Sequence, residues 1–361
     1  MPPPSFNPDR TGRTMRGVPE FVPGRELSRA YYAEVVGPLV GDVEHSAALL
    51  GWGSDVLGFD TSRSTDHGWG PRLRVFVDPA DVPRVRGAVD AGLPDEFRGW
   101  PTRYGWDDVP ESSHVNVAPL GEWLERQLGY DARPGLTTLQ WLTTPQQLLS
   151  EVVGGEVFRD GTGELEPLRK ALQWYPDDVW RWLLGCQWWR IDQEEPFVGR
   201  TAEVGDGLGS RVVAARLARD AMRLGFLLER RYAPYAKWLG SAFAQLECAS
   251  DVGPALERML DADDFAARES AWVDAIEALA HRHNALGLTT HFEPTVRTFH
   301  SRPFRVIDAG RFATACIESV SDSWLRDLPR VGSIDQLLDS TDVLSVGTLA
   351  RRMAGFYGST T

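Results

Sequence analysis

The apolar residues change their period part-way along the chain, and that change limits the folds open to it. In roughly the first 150 residues, short runs of both kinds alternate. Leu73-Arg74-Val75-Phe76-Val77, stopped by Asp78-Pro79, predicts a strand, and His114-Val115-Asn116-Val117 predicts a second. Val82 to Ala91 suits a helix, as does Leu120 to Leu128 with Trp123 and Leu124 inward. Upstream, Leu27, Tyr31, Val35, Val36, Leu39, Val43, Ala47 and Leu50 keep a spacing of three to four, which predicts amphipathic helix from Gly24 to Leu50, broken near Gly37-Pro38. Beyond Leu168 the pattern becomes helical almost throughout. A tryptophan-rich stretch to Arg190 is followed by Leu208 to Leu246, interrupted by Pro234, and by Val252 to Leu286. Pro303 to Ile307 is a short extended candidate. The expectation is an α+β chain: a loose arm over 1–22, a mixed α/β domain over 23–160, and a mostly α-helical domain over 161–361.

Composition narrows the function. The 38 basic and 51 acidic residues leave a net charge of −13, which disfavours non-specific nucleic-acid or anionic-membrane binding. No apolar run approaches the roughly 18 residues of a membrane span, and Met1 to Asn7 has no signal-peptide layout. Three widely spaced cysteines, Cys186, Cys248 and Cys316, form no disulfide framework. These features predict a cytoplasmic protein, and a monomer or homodimer is expected. Only Lys170 and Lys237 are lysines among the basic residues, so each draws notice.

The densest polar and glycine-rich segment is Gly53-Ser54-Asp55-Val56-Leu57-Gly58-Phe59-Asp60-Thr61-Ser62-Arg63-Ser64-Thr65-Asp66-His67-Gly68-Trp69-Gly70-Pro71-Arg72, between an expected helix and an expected strand. A Gly-Ser turn offers backbone N–H groups and a hydroxyl to phosphate. Asp66, opening the next strand, could hold a divalent cation, and Arg63 and Arg72 could neutralise negative charge. The alternative is a glycine-rich loop whose polar groups cap turns. His67 is either a general base or a residue packed on Trp69.

This segment resembles the domain of unknown function 4037 family of bacterial proteins and, more distantly, the nucleotidyltransferase superfamily of DNA polymerase β and kanamycin nucleotidyltransferase. Trp174-Tyr175-Pro176-Asp177-Asp178-Val179-Trp180, Glu229 to Gly240 and Asp339 to Leu344 carry further resemblance to the first family. The likeness implies a nucleotidyltransferase-like N-terminal domain, a helical C-terminal domain, and transfer of a nucleotidyl group, AMP from ATP, to a small-molecule hydroxyl. Gly53 and Ser54 would hold the triphosphate, Asp66 would ligate Mg²⁺, Lys237 would reach the phosphates across the cleft, and Glu229 would serve the acceptor hydroxyl. The chain departs from that pattern at two places. Gly68 stands where a second carboxylate is expected, and Asn116 where a third is often found; Asp55, Asp60 or Glu122 are the candidates to compensate. Two other readings follow from those departures: a repurposed scaffold running metal-free acid–base chemistry through Asp66 and His67, such as a cyclisation or rearrangement in secondary metabolism, or a catalytically inactive nucleotide-binding protein. Asp192-Gln193-Glu194-Glu195 reads as a solvated acidic cap, and His281, His283, His291 and His300 match no zinc spacing.

Overall fold

The computed structural model describes residues 19–107 and 109–358, so residues 1–18 of the expected N-terminal arm lie outside the described residues. Helix α1 (Gly24–Tyr31) runs through a π turn at Tyr32–Val36 into a last helical turn at Gly37–Val40. There the expected helix ends. Ser46–Leu49 is a strand, β1, buried along its whole length. The run Ala47-Ala48-Leu49-Leu50 fits helix or buried strand equally, because an apolar stretch covered on both faces shows no period. Placement between two neighbours decides for the strand.

Those neighbours are β2 (Leu73–Phe76) and β4 (Glu156–Asp160), both antiparallel to β1; β3 (Val115–Ala118) lies parallel to β2. The sheet order is therefore β3-β2-β1-β4. Alternation along β2 sends Leu73, Val75 and Val77 to one face, against Leu27 and Tyr31 of α1 and Val85 and Val89 of α2 (Val82–Gly92). Phe76 faces the other way, onto Trp123 and Leu124 of α3 (Leu120–Leu128). Arg74 shares that second face, its guanidinium 5.2 Å from the Trp123 ring. Helix α4 (Gln146–Val153) closes the same side.

The rest is helical apart from short β pairs. Helix α5 (Asp177–Glu194) buries Trp180, Trp182 and Trp188 and forms the spine against which α6 (Gly207–Leu228) and α9 (Ala309–Glu318) pack. The stretch expected as one helix from Val252 to Leu286 is two, α7 (Ala249–Asp261) and α8 (Phe265–Ala285). Asp264 separates them, its carboxylate capping the Ala267 N–H of the second. The acidic run at the end of α5 is not a solvated cap. Glu195 is buried and accepts from Ile307 N and Ala309 N, while Asp192 accepts from Gly310 N. The two carboxylates satisfy the unpaired first N–H groups of α9. Ala48, Leu50 and Phe76 of the sheet join the helical side chains in one buried cluster. The result is a mixed α+β protein with a helical C-terminal region.

Candidate functional site

The loop leaving β1 is shaped by two arginines, Arg72 just before β2 and Arg74 within it. Gly51 and Gly53 both have positive φ, +94° and +126°. A Cβ at Gly51 would lie 2.6 Å from Arg74 Nη2, and one at Gly53 would collide with the Arg72 guanidinium and the Asp55 carboxylate. Only glycine lets the backbone come so close. Arg72 donates Nε and Nη2 to the two Asp55 oxygens, at 2.9 and 2.5 Å, and Nη2 also to the Trp52 carbonyl at 2.5 Å. Arg74 donates Nε to the Leu50 carbonyl at 2.9 Å. The turn anticipated as a cradle for phosphate therefore turns its carbonyls to the protein's own guanidinium groups. Burial, with Arg72 adding repulsion, pushes Arg74 down to about 10.

Beside this loop is a cavity of 510 Å³. Trp52, Trp106 and Trp238 supply apolar wall, and Ser54, His67, Glu151 and Lys237 supply polar groups. His67 Nδ1 lies 3.2 Å from Asp107 Oδ2, and its ring packs 5.7 Å from Trp106 rather than on Trp69. Glu151 is buried, its oxygens accepting from Gln147 Nε2 at 2.7 Å and Gln127 Nε2 at 2.6 Å. Burial raises its pKa despite those donors. Lys237 enters from the helical side on the short helix Ala236–Phe243, with Nζ 4.9 Å from the Trp238 ring. Gln146 and Gln147 of α4 accept from Ala233 N and Tyr235 N, so the sheet side holds the segment that presents Lys237. Trp238 also stacks on Phe59 at 5.2 Å.

The structure brings Gly53, Ser54, His67 and Lys237 together and leaves four anticipated residues apart. Asp66 does not open β2. It ends a 3-10 turn, Ser62–Asp66, is 59% exposed, and faces Arg63 Nε at 3.4 Å. Arg63 is 92% exposed and away from the cavity. Arg72 is committed to Asp55. Glu229 holds the backbone N–H groups of Glu247 and Cys248, at 2.8 and 2.7 Å, ahead of α7. Gly68 has φ +63°, and a Cβ there would stand 3.0 Å from the Trp52 ring, so a carboxylate at this position meets both backbone strain and a wall. Of the compensating acids, Asp55 is bound to Arg72, Asp60 accepts from Gly24 N and Trp69 Nε1, and Glu122 pairs with Arg126. Among the described residues no three His, Cys, Asp or Glu side chains gather where they could hold a metal. A hard cation such as Mg²⁺ needs anionic oxygens, and these residues do not fit it.

Sequence reasoning missed Glu151, Asp107 and Arg74. The Arg72-x-Arg74 spacing at the start of an extended run puts both guanidiniums on one face, a signal present but passed over. Glu151 reaches the cavity from α4, and Asp107, one residue past the strand Arg103–Trp106, reaches His67 on its wall, which no local pattern indicates.

The molecule is thus a mixed α+β protein with a cavity walled from both its sheet and its helical parts. Residues 141–239 match the family model described as a domain of unknown function, DUF4037, which supports the likeness to that family. The match takes in Glu151 and Lys237 but not the segment from Gly53 to Arg72. Neither a curated protein nor a solved structure matches the chain. No helix among the described residues is long and apolar enough to cross a membrane.

Proposed function

We propose that the chain is an enzyme on a nucleotidyltransferase-like scaffold that acts on a small organic molecule by metal-free acid–base chemistry. The observation that carries this reading is the want of acids at the positions where the resemblance implies metal-binding carboxylates. Asp66 lies off β2 and is 59% exposed, Gly68 and Asn116 carry no charge, and the strand residue in register with Asn116 is the cationic Arg74. The mixed sheet and the helical region behind it support the scaffold. What remains in the cavity suits proton transfer. His67, oriented by Asp107, serves as acceptor, and Glu151, whose pKa burial raises, serves as donor. Trp52, Trp106 and Trp238 would hold an apolar or planar substrate, with Lys237 near its negative end. Ser54 and Lys237 lining one cavity also suit transfer of AMP from ATP, the second reading, but that reaction needs a metal site these residues do not make.

Titration with Mn²⁺, read by electron paramagnetic resonance, and with ATP in Mg²⁺ or in EDTA separates the two. The acid–base reading expects no saturable Mn²⁺ site in the micromolar range and the same ATP response with or without metal. It also expects Asp66→Asn to behave as wild type. Micromolar Mg²⁺-dependent ATP binding that Asp66→Asn destroys would overturn it in favour of nucleotidyl transfer.

A further inference from the structure

A second, smaller cavity of 230 Å³ opens on the other side of Trp52, against the polar face of β2 and β3. Its polar lining is Arg72, Arg74, Ser112, Ser113, His114 and Asn116. The charge balance inside it is uneven. Arg72 is neutralised by Asp55. Arg74 has one hydrogen bond, from Nε to the Leu50 carbonyl, and among the described residues it pairs with no carboxylate. The other acid that acts on it, Glu151, has its oxygens engaged by Gln127 and Gln147. Burial lowers the His114 pKa, outweighing the Tyr104 carbonyl 2.9 Å from its Nε2, which favours the charged form. The neighbours that remain, Ser112, Ser113 and Asn116, carry neutral hydroxyl and amide donors.

We infer that this cavity is an oxyanion site, in which the free edge of the Arg74 guanidinium, assisted by Asn116 and the two serines, binds a phosphate or carboxylate group. A half-buried guanidinium with uncommitted N–H groups presents a planar fork that matches two oxygens of either group. It also retains its charge, because even when pushed down to about 10 it stays protonated at neutral pH. Gly51 is part of the device, because any side chain there would displace the guanidinium.

Calorimetric titrations of the full chain with inorganic phosphate and with acetate test this and tell the two anions apart. Saturable binding of either supports the site. Arg74→Gln removes the charge, and Asn116→Asp sets a carboxylate across from Arg74 without removing any contact the fold uses, so at least the second variant is expected to fold. Each should weaken anion binding by roughly tenfold or more, with the unfolding midpoint of Asn116→Asp in anion-free buffer no lower than wild type. Absence of saturable binding in wild type, or wild-type affinity in a folded Asn116→Asp, would overturn the inference. Neither result bears on the acid–base reading of the larger cavity, which is tested by metal and Asp66.

Discussion

At the residue scale, the unusual positions are Gly53, Asp55 and Arg72, which form one unit. Arg72 and Asp55 are both almost fully buried, and their bidentate pair also holds the Trp52 carbonyl. A buried pair of this kind adds little net stability against an apolar substitute, but losing one partner strands a charge. Asp55→Asn is therefore expected to cost about 3 kcal/mol or more in unfolding free energy. Gly53→Ala, which must place a Cβ at φ +126° against the same pair, should cost about 2 kcal/mol. Urea denaturation of the two variants checks both values. If Gly53→Ala unfolds like wild type, the loop is not shaped by the arginines. The reason these roles were hidden is that Gly-Ser next to Asp and Arg reads the same whether the arginine meets a ligand or a neighbouring strand.

At the element scale, side-chain carboxylates join helices that are distant in sequence. Glu229, one residue beyond α6, satisfies two backbone N–H groups at the entrance to α7. The charge sits where the peptide dipoles are positive, so Glu229→Gln should lower stability by about 1 kcal/mol and leave ligand binding in the large cavity unchanged. A loss of binding with stability intact, measured by calorimetry beside thermal unfolding, would return Glu229 to the site. Glu195 and Asp192 do the same for α9. Such partners lie more than a hundred residues apart for Glu195 and Ile307, so an acidic run at the end of α5 carries no mark of its burial in the sequence.

At the scale of the whole molecule, two buried groups give opposing pH dependences. His283 is buried against Trp188, whose Nε1 donates to its Nδ1 at 3.0 Å. Burial lowers it from 6.5 to about 4. Its folded pKa lies below its unfolded value, so its contribution is complete above pH 6.5 and is lost as pH falls toward 4, by about 3 kcal/mol. Glu195 has the opposite sign. Burial raises it from 4.5 to about 8, so its contribution is complete below pH 4.5 and is lost as pH rises to 8. Between pH 4.5 and 6.5 the two oppose each other, so unfolding free energy there should decline with rising pH in His283→Gln and climb with rising pH in Glu195→Gln, each relative to wild type. Profiles parallel to wild type in both variants would mean that neither group changes its proton affinity on folding.

The strand at Leu73, the helix at Leu120–Leu128 and the helical C-terminal region were legible in the sequence because each is a local periodicity, set by residues a few positions apart. Gly53, Ser54 and Lys237 were anticipated together through family resemblance, and His67 from its place in the same polar segment. Whether Ala47-Ala48-Leu49 is helix or strand, whether Arg72 faces a ligand or Asp55, and which acids reach the cavity were decided by tertiary structure. Each depends on a partner brought near by packing, and burial and charge pairing act through space rather than along the chain.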